Sequence, residues 1–528
     1  MHPFDICQKN PLLWKYIKII FIFTYIFSNF IFSNIIFNQI YHYLPFKNNN
    51  KIKNKNIIKN NFNDSSKLNL LIGKNNGQKI YIPEKGLYQN FLITGTIGSG
   101  KTSSAMYPFT EQLIKYNSEN PTDKIGMLIL DVKGNYYNQV KNYVNFYNLQ
   151  NDFLVIGLNS GIFYNPLHKP NLKPIVLANR LKTILTLFSE NNTESYWLDK
   201  AEQILAESIK LCRLYNDNYV TFSELHKLIT IPNYYKEKIN ILKDLFIASK
   251  LNKKQIYELN ECLNFFQKEF ENLDSRTKGI LISEITRITN TFISDYDVFS
   301  TFSPEKNKLN FLGFHDVIKS GKIIVLNMNI SEYSLLAKII ATYLKLDFQT
   351  EILSSLSSNN IKKTAFICDE YDKYCTKTDG DFFSLSRESK CINIVSTQSY
   401  SSLKNTIKDE SSVNVITQNL INKIWFRTDD IFTIEEAQKQ LGKEEKRKIS
   451  KTVSESAKET NFSYITNSLN SVNSNISESY NSYYQNDYIY DTNFFTRNLE
   501  TFTALTFLSD GNKIFEPKKL EMFPYYKK

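Results

Sequence analysis

Two short stretches carry side chains suited to handling a nucleoside triphosphate. The first is Gly95-Thr96-Ile97-Gly98-Ser99-Gly100-Lys101-Thr102. Glycines at this spacing let backbone N–H groups curl around phosphate oxygens. A lysine there offsets the charge of the outer phosphates, and a threonine hydroxyl can hold Mg²⁺. Residues 95–102 are therefore expected to bind ATP, with Lys101 on the phosphates and Thr102 on the metal. The second stretch is Asp369-Glu370, which closes the apolar run Thr364–Cys368. Asp369 is expected to organise Mg²⁺ through water and Glu370 to polarise the attacking water. An acidic pair after a strand is also an ordinary way to start a helix. The phosphate loop in the same chain favours the catalytic reading. Gln398 is expected to sense the terminal phosphate or to position water.

These groups need a sheet to hold them. Gln89–Thr94 reads as a strand running straight into the loop, and Ser103–Tyr116 reads as the helix that follows. That helix would add its positive N-terminal end to the phosphate site. Ile125–Leu130, Phe153–Leu158, Lys322–Met328, Cys391–Ser396 and Ile421–Arg427 are further short apolar runs between helical stretches. Such alternation predicts an α/β fold with a largely parallel sheet. Two of the runs end in polar groups, Asp131-Val132-Lys133-Gly134 and Thr397-Gln398-Ser399. Open α/β sheets place ligands at such strand ends.

Spacing sets the domain plan. Lys101 and Asp369 lie far apart in sequence, and Lys173–Phe302 between them is dominated by helical patterns. Tyr196–Leu214 has apolar residues at helical steps, for example. The expected organisation is an anchor at 1–46, a basic linker and entry to the core at 47–85, and a nucleotide-binding domain at 86–172. An all-helical insertion at 173–302 follows, and the nucleotide-binding domain returns at 303–528. Ser450–Gln485 is rich in Ser and Asn and is expected to be a flexible loop. The sheet is expected to resume at Thr501–Ser509.

The anchor rests on residues 19–46, which contain no Asp, Glu, Lys or Arg, and on Ile19–Phe37, which is mostly Ile and Phe. About 20 apolar residues span a bilayer as a helix. Lys9, Lys15 and Lys18 precede the run, while Lys47, Lys51, Lys53, Lys55 and Lys59 follow it. The heavier positive flank places the large downstream body in the cytoplasm, and the inner membrane is the expected location of the anchor. A short helical hairpin over Pro11–Phe46 is the alternative. The net charge of +11 fits attraction to phosphate or anionic lipid. The dispersed cysteines form no CxxC pair, which argues against zinc or a disulfide framework.

Together these stretches resemble the TraG/TraD family of type IV secretion coupling proteins. The resemblance runs through the loop at 95–102, LILDVKGNYY at Leu128–Tyr137, YNPL at Tyr164–Leu167 and the helix opening at Tyr196. It continues through SGKIIVLNM at Ser320–Met328, FICDEYD at Phe366–Asp372, SRESKCINIVSTQS at Ser386–Ser399 and NLINKIWFRTDD at Asn419–Asp430. Val132 stands where the family often has proline. The resemblance implies a RecA-like P-loop ATPase core with an inserted helical domain, a membrane anchor and a homo-hexameric ring. It implies ATP and Mg²⁺ as cofactors. It also implies delivery of relaxase-bound single-stranded DNA, or of protein, to the channel during conjugation. Ring motors complete the site with an arginine from the next subunit, and Arg387 and Arg427 are the candidates. Two other readings compete. One is an FtsK/HerA-type translocase of double-stranded DNA. The other is a membrane scaffold that binds nucleotide without hydrolysing it.

Overall fold

The computed structural model describes residues 16, 19–20, 22–29, 68–131, 133–188, 195–248, 250–328, 330–357, 360–455, 460–463, 468–471 and 476–527. The chain divides into two units, 1–64 and 65–528. In the first unit, residues 22–29 are helical. Most of the expected anchor and the linker up to residue 67 lie outside the described residues. Among the described residues no helix is long and apolar enough to cross a membrane.

The second unit is built on one large sheet. Its strands, with two small ribbons, are β1 (Asn69–Asn75), β2 (Gln78–Pro83), β3 (Phe91–Thr94), β4 (Gly126–Leu130), β5 (Phe153–Ile156), β6 (Ile323–Leu326), β7 (Thr364–Cys368), β8 (Cys391–Thr397), β9 (Asn422–Trp425), β10 (Lys443–Glu455), β11 (Thr460–Ser463), β12 (Ser468–Ser471), β13 (Ile476–Tyr488), β14 (Thr503–Phe507) and β15 (Lys518–Glu521). The large sheet has the order β2-β1-β15-β14-β9-β3-β8-β7-β4-β6-β5. Strands β9 through β5 in this order pair in parallel. β14, β15, β1 and β2 extend the β9 edge antiparallel.

The inner parallel strands β3, β4, β6, β7 and β8 are buried along their length because both faces are covered, whereas the edge strand β5 is partly exposed. Alternate residues go to opposite cores. Ile93, Met127, Ile129, Ala365, Ile367, Ile392 and Ile394 join the helix Tyr107–Glu119 on one face. Leu92, Leu128, Leu130, Phe366, Cys368 and Val395 pack on the other face with the helices inserted between β5 and β6. That insertion holds helices only, from Pro174–Phe188 to Tyr296–Phe302, among the described residues. Phe222 and Phe292 stack inside it with ring centroids 3.8 Å apart.

A buried carboxylate ties the insertion to the core. Asp347, on the helix Ile330–Ser354, accepts from Lys169 at 2.6 Å, Arg180 at 2.9 Å and the Tyr164 hydroxyl at 3.1 Å. The two cations outweigh burial and hold its carboxyl below the usual range.

One expectation changes here. Residues 450–485 are not a loop where they are described. β10 and β13 pair from Lys443↔Tyr488 to Glu455↔Ile476 as a long antiparallel ribbon, and β11 pairs with β12 beyond it. Low aliphatic content hid the ribbon. Tyr, Thr, Ile and Val along it nonetheless favour strand, and cross-strand pairs such as Arg447↔Tyr484 support it. Within the stretch 47–85, where the chain was expected to enter the core, β1 and β2 form the sheet's outer edge.

Candidate functional site

β3 delivers the glycine loop to the carboxyl end of the parallel strands. Its neighbours β8 and β9 lie in register, Thr94 opposite Thr397 and Trp425. Both neighbours steady the loop from their own ends. The Gly95 N–H donates to the Gln398 carbonyl at 3.3 Å, and the Thr96 N–H donates to the Arg427 carbonyl at 2.8 Å. Gly98 and Gly100 have φ of +76° and +101°, backbone that side chains rarely adopt. A Cβ on Gly95 would lie 2.6 Å from Phe426.

The Lys101 ammonium donates to the Gly95 carbonyl at 2.5 Å and to Thr96 at 3.1 Å. Burial pulls its pKa below the ordinary lysine value, against the opposing pull of Asp369 and Glu370. Thr102 opens the turn Thr102–Met106, which runs into the helix Tyr107–Glu119.

Asp369 comes to this loop from β7. The Thr102 hydroxyl donates to Asp369 Oδ2 at 2.8 Å across 267 positions of sequence. The other carboxylate oxygen accepts from the Ser396 hydroxyl at the end of β8, and from the Glu370 N–H at 3.1 Å. Asp369 is 4% exposed. Glu370 sits at φ +50°, a left-handed backbone that a glutamate holds only when its surroundings over-determine it. That turn sends its carboxylate to Lys133, with Oε1 and Nζ 2.5 Å apart. Burial pulls the Lys133 ammonium down, but Glu370 and Asp369 outweigh it and leave the pKa raised. Asp131 lies beneath this pair, accepting from the Lys133 and Tyr136 N–H groups at 3.1 Å each. Burial raises its pKa against those two bonds, with Asp369 adding to the rise.

The structure thus brings Lys101, Thr102, Asp369 and Glu370 together, with the Gln398 carbonyl on the loop. Arg427 follows β9 beside the loop, and its side chain is exposed. Arg387 does not join them. It is exposed in the turn before β8, and the seven residues of β8 separate that turn from the loop by about 20 Å. Sequence reasoning missed Ser396 and the Lys133–Glu370 pair. Lys133 belonged to a polar strand end already singled out, but its partner depends on the left-handed turn at Glu370.

This arrangement can grip a triphosphate through backbone N–H groups and one lysine. It offers a hydroxyl and a carboxylate to one metal ion, and sets a second carboxylate beside them. Residues 363–483 match the family described as the TraM recognition site of TraD and TraG. No curated protein matches the chain by sequence. Several solved structures share the fold. The bacterial conjugative coupling protein TrwBdeltaN70 in its unbound form aligns at a TM-score of 0.55 and 12% identity, over 84% of this chain and 87% of that one. TrwB with the non-hydrolysable GTP analogue GDPNP aligns at 0.54 and 13%, over the same 84% and 87%. TrwB with ADP and Mg²⁺ aligns at 0.54 and 12%, again over 84% and 87%.

Proposed function

We propose that this chain is a type IV secretion coupling protein of the TraG/TraD type, a reading supported by the match of residues 363–483 to the TraD and TraG family description and by the fold shared with TrwB, and that it is an Mg²⁺-dependent ATPase whose hydrolysis drives substrate into a secretion channel. The observation that carries this reading is the 2.8 Å contact between Thr102 and Asp369, with Glu370 next in sequence. TrwB, similar in fold, has been captured with nucleotides and with Mg²⁺.

The donor set fits Mg²⁺. One hydroxyl and one carboxylate leave most of the coordination shell to phosphate and water, which is how Mg²⁺ is usually held. When bound, the ion supplies charge to offset the phosphate oxygens. The remaining work falls to side chains. Lys101 exchanges the carbonyls of Gly95 and Thr96 for phosphate oxygens. Glu370 accepts the proton of the attacking water, and Lys133 holds that carboxylate in position beforehand. Ser396 fixes the face that Asp369 turns to the metal. Gln398, tied through its carbonyl to Gly95, is set to respond to the terminal phosphate. Arg427 or Arg387 enters the site of a neighbouring subunit.

In this reading residues 1–46 anchor the protein in the inner membrane with its bulk in the cytoplasm, and the working form is a homo-hexamer. The cargo is relaxase-bound single-stranded DNA or protein, handed to channel components. Support comes from the apolar run, the family resemblance and the charge of +11. Purified full-length protein should hydrolyse ATP, faster with single-stranded DNA, and Lys101→Ala should abolish turnover. ATP binding with no turnover, with or without DNA, would leave only a nucleotide-binding scaffold.

A further inference from the structure

The glycine loop has two sides. One faces Asp369, Glu370 and Lys133. Lys101 reaches the outer phosphates, so the terminal phosphate belongs on that side. At Ser99, Gly100 and Ser103 the loop is walled instead by Phe502 and by the residues after β15.

Phe502 stands just before β14 with φ +64°. Its N–H donates to the Ser99 carbonyl at 3.2 Å, and its own carbonyl accepts from Met522 at 2.8 Å. Its ring lies so near Gly100 that a Cβ there would be 2.6 Å away. After β15 the chain runs along the start of the loop's helix. The Tyr525 N–H donates to the Ser103 carbonyl at 2.9 Å. The Tyr525 ring meets Tyr107 edge-on at 5.2 Å. Tyr526 packs edge-on against Tyr525 at 5.3 Å and against Phe502 at 6.1 Å. Tyr526 is nevertheless 56% exposed. The Lys527 ammonium lies 5.7 Å from the centre of the Phe502 ring.

An exposed ring that neighbours hold in place, beside a loop built for phosphates, is a stacking surface for a planar group. We propose that Phe502 and Tyr526 form the nucleobase wall of the site, with Tyr526 stacking on the base. This rests on the ATP reading given above. With the terminal phosphate at Glu370, the chain of phosphates crosses the loop toward Ser103. The nucleoside then leaves on the side of these aromatics. A ring face reads no pattern of hydrogen-bond donors, so the wall favours purines for their larger area and accepts adenine and guanine alike.

Binding by the detergent-purified full chain tests this, with ATP, GTP, CTP and inorganic tripolyphosphate as probes in Mg²⁺. Base–aromatic stacking corresponds to about a 5- to 150-fold change in affinity. Tyr526→Ala should weaken ATP and GTP by an amount in that range and leave tripolyphosphate unchanged. Tyr526→Phe should restore ATP binding. Lys101→Ala, by contrast, should weaken all four probes. Unchanged ATP binding in Tyr526→Ala, or equal loss of ATP and tripolyphosphate, overturns the wall and leaves the ATPase reading standing. A wild-type protein that binds none of the four ends both.

Discussion

In the proposed mechanism Glu370 is the residue on which the chemistry turns, and substitution separates two roles for it. A residue that only shaped the turn after β7 would tolerate Gln at little cost. A general base would not, because the amide cannot take up a proton. Loss of general-base assistance typically costs about 10²–10⁴-fold, so Glu370→Gln should lower turnover by that order while ATP binding persists. Both are read on one purified variant. Lys133→Ala should act through the same carboxylate, lowering turnover with less effect on nucleotide affinity, since Lys133 touches Glu370 and not the loop. A different residue sets a pH dependence. Lys423 on β9 is buried, and its ammonium donates to the carbonyls of Thr417 and Leu420. Burial pushes it down to about 7 from 10.5. Between those values the unfolded chain holds a proton that the folded chain has released. Stability from this group therefore rises with pH above about 7 and is least below it. Thermal melts of Lys423→Met against wild type, from pH 7 to 9.5, should show a flatter rise in the variant.

At the scale of elements, the central strands were legible because each is a short apolar run ending in polar residues. β7 begins and ends where its composition changes, from Thr364 to Cys368, and Asp369 follows at once. The site at the ends of β3 and β7 was readable for the same reason. The outer strands were not. β15 is Lys-Lys-Leu-Glu, with only Leu520 buried, and its strand state comes from pairing with β14. The β10–β13 ribbon has few aliphatic residues and sets tyrosines opposite cations along its length. Phe502 gave no signal at all, because its contact with Gly100 depends on β14 joining β9. A buried ion pair also went unread. Lys345, from the helix Ile330–Ser354, meets Asp379 at 2.6 Å with both side chains fully buried. Asp379 also accepts from the Tyr371 hydroxyl at 2.5 Å, one residue beyond Glu370. Removing one partner of such a pair costs about 3–5 kcal/mol. Lys345→Met should therefore lower the melting temperature, and lower turnover as well, because the turn that aims Glu370 loses its brace. Adding Asp379→Asn should recover part of the lost stability.

For the whole molecule, the two arginines lie on different parts of the surface. Arg427 is beside its own loop, whereas Arg387 is at the far end of β8. An arginine that serves a neighbour's site can be supplied by a different chain from the one that supplies the loop. Mixing Arg387→Ala with Lys101→Ala protein, each inactive alone, should restore part of the ATPase rate. The same mixture with Arg427→Ala tests the other candidate. No recovery with either would remove the idea of an arginine acting between subunits. If the cargo is single-stranded DNA, binding should weaken steeply with salt, with a log–log slope of about −0.7 per phosphate contacted.

The strand order has a consequence for how this protein is made. β3 lies between β8 and β9, yet it is synthesised almost 300 residues before either. At about 5–20 residues per second, the strand Phe-Leu-Ile-Thr waits roughly 15–60 s with both edges unpaired. Until then it is a largely apolar strand with open edges, the kind of segment that pairs with other chains. The inserted helices, whose contacts are local, can fold during the wait. The phosphate loop therefore closes among the last parts of the molecule. A newborn chain stalled before Cys391 should be bound by chaperones or aggregate, even though its glycine loop is already complete.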